Sequence, residues 1–380
     1  MAPTGDETQR WALGSDHARC EVLACGGHLD RVAFGARQTE ITPMHRAPWV
    51  DDAAAQAAWG DDVPAVLRHL RGDFFCAPFG AADLPGEEAP PHGHTANGRW
   101  LLRSRSARSL DLELDARVCG ATVRKRVEVT DGSPTIVQIH RLEGGAGALP
   151  IGHHAMLAAP ASDRLLLSFS ARTWIGTPPH PVEPDPSRGR SKLRYPARFA
   201  SLHDARLADG TTADLTIYPT LEDCEEIVLL ADAPDQRYAW SAAVARAGGW
   251  AWFALRPHGP LRATLLWMSN GGRDYPPFSS RHRRVLGIEE ITAAFHLGHS
   301  ASLEAHPWHE AGMPTVVTLD PARPLEVRYA FGAVRVPPGF ERVVGLDVGP
   351  DHLVLRGLDG LGVEVPFSAE RLHIGASAIT

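Results

Sequence analysis

The chain has 380 residues, enough to bury a large core and to form one to three domains. Its 38 basic and 45 acidic residues leave a formal net charge of −7, which argues against a nucleic-acid partner, since phosphate binding rests on clustered Lys and Arg. No run of about 18 apolar residues occurs, so no membrane-spanning helix is expected.

In chain order, residues 1–18 are polar and lack the basic-then-apolar order of a signal peptide, and they read as a loose tail. The cysteines (Cys20, Cys25, Cys76, Cys119 and Cys224) are odd in number and sparse, with no CxxC. No disulfide framework is expected, and a reducing, cytoplasmic location is. The segment DDAAAQAAWGDDVPAVLRHL at 51–70 is the best helical pattern, interrupted by Gly60 and Pro64. Strict alternation follows. Leu110, Leu112 and Leu114 interleave with Asp111, Glu113 and Asp115; Val123, Val127 and Val129 interleave with Arg124, Arg126 and Glu128. Such runs bury one face of an antiparallel strand. Similar β-like runs occupy 135–142, 213–219, 262–269, 325–331 and 352–358, while 288–297 is ambiguous between strand and helix. The Pro-rich stretch GTPPHPVEPDPSRGRSKLRYP at 176–196 reads as a long loop, a lid or a plain insertion. The basic run Arg281, Arg283 and Arg284 reads as a solvated turn. Many short strands, few short helices and no βα alternation predict an all-β chain, with residues 19–380 as one large antiparallel β-sandwich domain.

Chemistry concentrates on a few histidines and carboxylates. PPHGHTANGRW at 90–100 places His92 and His94 one glycine apart, in a stretch too rich in Pro and Gly for a helix. A His-x-His strand would turn both rings to one face, as a metal site needs. The carboxylate that would complete such a set is missing nearby, and the pairs His296/His299 and His306/His309 lack a third ligand as well. In GHHAML at 152–157 an extended backbone turns His153 and His154 to opposite faces, and in VLGIEEI at 285–291 it does the same for Glu289 and Glu290, of which Glu290 is expected to be solvated.

Taken together, LRGDFFCAPFG at 70–80 and PPHGHTANGRW at 90–100 resemble the aldose 1-epimerase (galactose mutarotase) family, with His92, Gly93, Asn97 and Trp100 in register. ACGGHLDRVAF at 24–34 resembles the family's opening Gly-Gly hairpin. GHHAML puts His154 at the place of the catalytic histidine, VLGIEEI puts Glu289 at that of the catalytic glutamate, and LLWMSNGGRDYPPF at 265–278 resembles the stretch before that glutamate. The resemblance covers about residues 19–310. It implies a galactose mutarotase-like supersandwich and cofactor-free, metal-free interconversion of aldose anomers, with Glu289 as base, His154 as acid and His92 as a second donor to the ring oxygen. Arg71, His94, Asn97, Trp100, Asn270 and Asp274 are then candidate sugar contacts. Ala96 stands where some relatives carry Arg, which favours an unphosphorylated sugar; Arg46, Arg99 and Arg273 are the basic residues that could substitute. Trp267 is a candidate stacking platform.

The residue types suit that reaction. Opening a hemiacetal ring removes a proton from the C1 hydroxyl and delivers one to the ring oxygen, and reclosure exchanges the roles. Burial raises a carboxyl pKa, and imidazole exchanges a proton near neutrality. A non-catalytic carbohydrate-binding protein on the same fold, or a metal-dependent sugar isomerase using the His-x-His pair, would also accommodate these residues. Oligomeric state is not legible.

Overall fold

The computed structural model describes residues 9–59, 62–358 and 360–373. Two large antiparallel sheets face each other. The front sheet has six strands in the order Arg172–Gly176, Cys224–Asp232, Ala263–Asn270, Val285–Thr292, Ile151–Ala158 and Phe75–Cys76. The back sheet has nine, running from Ile217–Tyr218 at one edge through Leu165–Phe169, Tyr238–Ala245, Trp250–Pro257, Leu325–Arg335, Ser133–Glu143, Ala121–Thr130 and Ser109–Val118 to Trp100–Arg105. The alternating runs at 110–114 and 123–129 are the back-sheet strands Ser109–Val118 and Ala121–Thr130, apolar residues in and charges out except for Lys125, which is buried on the inward face and donates to the Gly27 carbonyl.

The front sheet does not alternate in burial. Its four central strands are covered on both faces, and Val285–Thr292 is buried along its whole length. Inward, Leu266, Met268, Leu286 and Ile288 meet the back sheet; outward, Met156, Leu265 and Trp267 pack under loops that bring in Trp49, Phe74 and Phe278. Two small meanders complete the body. Arg10–Gly14, Ala18–Leu23 and Leu29–Phe34 form one, so residues 10–14 are a strand where the sequence reads as a loose tail; residues 1–8 lie outside the described residues. Val343–Val348, His352–Gly357 and Gly362–Pro366 form the other. It covers the outer face of the back sheet, with Leu353, Leu355 and Val365 against Phe253 and Leu255.

Helices are short. The pattern at 51–70 yields Ala53–Trp59 and Ala65–Arg68, and the ambiguous 288–297 is strand through Thr292. Among the described residues no helix is long and apolar enough to cross a membrane.

Candidate functional site

The strands Ile151–Ala158 and Val285–Thr292 are hydrogen-bonded neighbours, and their register sets His154 directly opposite Glu289 and His153 directly opposite Glu290. Because side chains alternate across a strand, one pair faces outward under the loops and the other faces the back sheet. The outward pair meets: His154 Nε2 lies 3.3 Å from Glu289 Oε1. Gly287, two residues before Glu289 on the same face, leaves the room this carboxylate occupies, since a Cβ there would stand 2.5 Å from Glu289 Oε1.

This pair forms part of the wall of a small, half-open cavity of about 120 Å³, to which His92, His296, Arg273 and Trp267 also contribute. Phe74 stacks on the His154 ring at 4.5 Å, and Trp267 meets it edge-on at 5.4 Å. Burial is the main influence on the titrating groups. It raises the Glu289 carboxyl well above the usual carboxylate range, with Arg273 opposing, and it lowers His154 well below the usual imidazole range, with His92 adding to the effect. Burial thus disfavours the charged form of both members of the pair.

The PPHGHTANGRW stretch delivers one side chain to the cavity, His92, and the rest braces it. His92 has φ 65° and Gly93 φ 73°. A Cβ on Gly93 would stand 2.2 Å from the Ala77 carbonyl oxygen, so the glycine is a requirement of this turn. Gly93–Asn97 is then a short helix rather than the extended stretch that a shared His-x-His face assumes, and His94 does not line the cavity. Asn97 donates to the carbonyls of Pro91 and Gly93 and accepts from the Val66 N–H. Trp100 is buried, and its indole N–H donates to the Thr95 carbonyl. His92 meets His154 edge-on at 5.4 Å, and burial pushes its pKa down to about 4.

The other expected sugar contacts are engaged elsewhere. Arg71 is buried against Asp30 at 2.8 Å and donates to the His69 carbonyl, so it serves the scaffold and not the cavity wall. Asn270 holds the Leu221 carbonyl and Glu222 and accepts from the Arg284 N–H, while Asp274 pairs with Arg190 and Ser280 in a surface turn. Glu290, expected in solvent, is 1 % exposed: it accepts from Arg256 at 2.7 Å, Ser241 at 2.6 Å and Thr264 at 2.9 Å between the sheets. His153 likewise faces inward, 3.2 Å from Asp73.

The cavity's remaining groups come from loops. Arg273 follows the Gly271-Gly272 turn. Its Nε and Nη2 donate to Glu225 at 3.0 and 2.8 Å, and its guanidinium lies 4.0 Å over the Phe278 ring. Glu225 also accepts from the Trp267 indole N–H and from Ser269. His296 follows the Glu289 strand, and Val182 reaches the wall from the Pro-rich stretch. The sequence offers Arg273 only as a substitute phosphate contact and His296 only through its spacing to His299. Neither signal places them here. Among the described residues no three His, Cys, Asp or Glu side chains are arranged to hold a metal ion.

No family model matches this sequence, and no curated protein matches it. Solved structures do. A galactose mutarotase related enzyme from Lactobacillus acidophilus is 10 % identical with a TM-score of 0.54, the match covering 86 % of this chain and 98 % of that one. A galactose mutarotase-like protein from Lactobacillus casei is 11 % identical with a TM-score of 0.54, covering 86 % and 100 %. A proposed aldose 1-epimerase from Escherichia coli K12 is 13 % identical with a TM-score of 0.54, covering 86 % and 99 %. At such identities the likeness is one of fold: this chain is a galactose mutarotase-like β-sandwich.

Proposed function

We propose that the chain is an aldose 1-epimerase-like enzyme, a divergent relative of the galactose mutarotases, that interconverts the anomers of a free sugar by acid–base catalysis without a cofactor. The observation that carries this reading is the His154–Glu289 pair, two buried proton-exchanging groups 3.3 Å apart in a cavity wall. The anomeric hydroxyl and the ring oxygen are bonded to one carbon, so two groups this close can reach both. Glu289 takes the proton of the C1 hydroxyl while His154 delivers one to the ring oxygen. The C1–O5 bond breaks, a C1 carbonyl forms, and rotation about C1–C2 exposes its other face. Reclosure returns the proton from Glu289 to the carbonyl oxygen and the hydroxyl proton to His154. His92 supplies a further hydrogen-bonding group as charge shifts between the oxygens.

A positioned acid or base contributes ~10²–10⁴-fold. The protein should therefore speed the approach of a fresh α-anomer to equilibrium, read by polarimetry or by NMR exchange between anomers. Glu289→Gln keeps the shape of the side chain, removes its proton-exchanging carboxyl, and should lower the rate by at least 10²-fold. Sugar that binds to the wild-type protein while its rotation drifts at the buffer rate would instead identify a carbohydrate-binding module.

A further inference from the structure

The cavity wall is poor in hydrogen-bonding groups. Once His154, Glu289 and His92 are assigned to the anomeric centre, Arg273 and His296 are the polar side chains left. Arg273 already commits two of its nitrogens to Glu225, and the Trp267 indole N–H is engaged by the same carboxylate, so Trp267 has only its ring to offer. The rest of the wall is apolar: Leu67, Leu70 and Phe74 on one side, Ile227, Leu265 and Phe278 on the other. A hexopyranose carries hydroxyls at C2, C3, C4 and C6 besides the anomeric one, and each that is buried without a partner bears the full cost of its lost hydration.

The cavity also lacks a free positive charge. Arg273 is matched by Glu225, and burial holds His92 near 4 and His296 near 3, so neither ring is a cation at neutrality. A phosphate or carboxylate on the sugar would be buried without a counter-charge. The volume, about 120 Å³, lies well under the ~300 Å³ at which ligand pockets usually begin.

We infer that this cavity selects a small neutral deoxy sugar, an aldose lacking one or more of the hydroxyls at C2, C3, C4 or C6, over the fully hydroxylated or phosphorylated hexose. The inference rests on the reading of the site as one for a sugar ring.

Matched sugars test it. Anomer exchange is followed for D-glucose, 2-deoxy-D-glucose, 3-deoxy-D-glucose, 4-deoxy-D-glucose, 6-deoxy-D-glucose and D-glucose 6-phosphate, and for the same series built on D-galactose. The expected result is a kcat/KM at least ten-fold higher for one or more deoxy sugars than for the parent, with no acceleration of the phosphate ester. Parent hexoses turned over as well as every deoxy partner, or a preference for the phosphate, would overturn the inference and leave the epimerase reading standing. If no sugar is accelerated, saturation-transfer NMR separates the two ideas. Binding of a deoxy sugar without the parent would keep the selectivity and end the epimerase reading; binding of neither would end both.

Discussion

At the scale of single residues, Arg71 and Glu289 show how differently two buried charged groups can serve one chain. Arg71 is engaged through Nη1 with Asp30 and through Nε with the His69 carbonyl. Asp30 is also held by Arg46 at 2.7 Å. Removing one partner of a buried, hydrogen-bonded ion pair costs about 2–5 kcal/mol, because the other charge stays buried. Arg71→Met should therefore lower the urea-unfolding free energy by roughly the low end of that range, given Arg46, while leaving kcat/KM per folded molecule unchanged. A fall in kcat/KM at intact stability would mean that Arg71 touches substrate after all. Glu289 has the opposite character: it lies against a titratable ring, and burial raises its pKa while Arg273 opposes the shift.

At the scale of elements, the Pro-rich stretch supplies part of the cavity wall through Val182. Val182 packs with the apolar groups over the outer face of the front sheet and lines the cavity. Its neighbours tie the stretch down through contacts near its end: Arg188 stacks over Tyr275 at 4.3 Å, and Arg190 pairs with Asp274. Val182→Trp should fill the cavity and lower kcat/KM at least ten-fold. Its melting temperature should stay within about 4 °C of wild type, since the half-buried side chain sits at the rim of the core. Unchanged turnover would show that the stretch swings clear during catalysis. Parity along the strands was legible without coordinates, which is why His154 and Glu289 were separable from His153 and Glu290. The burial of Glu290 was not, because alternation tells which face a residue takes and not whether that face is covered. The Arg71–Asp30 pairing was out of reach for a related reason: the partner lies 41 residues upstream, on a strand that pairs elsewhere. Arg273 and His296 were out of reach because their places depend on loop conformations set by distant contacts.

At the scale of the whole molecule, the fold holds many histidines neutral. Burial lowers His45 and His69 to about 3, His92 to about 4 and His296 to about 3, and it pushes His28, His140, His154 and His282 well below their usual range. The unfolded chain protonates these rings near 6.5 and the folded one does not, so below that pH the unfolded state binds more protons and stability falls with pH. Glu226 and Glu289, raised by burial, act in the other direction. Each unbalanced group is worth about 1.4 kcal/mol per pH unit, against a total stability of about 5–15 kcal/mol. The urea midpoint should drop steeply below pH 6.5, and the far-UV circular dichroism should show unfolding near pH 5 without denaturant. Equal urea midpoints at pH 7.5 and 5 would contradict this account.

The two directly opposed pairs, His154 with Glu289 and His153 with Glu290, also limit how such a chain can change its length. Gaining or losing one residue inside Ile151–Ala158 or Val285–Thr292 would rotate part of that strand by half a turn, withdrawing one member of the outward pair and offering a residue meant for Asp73 or Arg256 in its stead. Connections elsewhere can absorb insertions, but these two strands are length-locked: their tolerance is for exchanging side chains, not for counting differently.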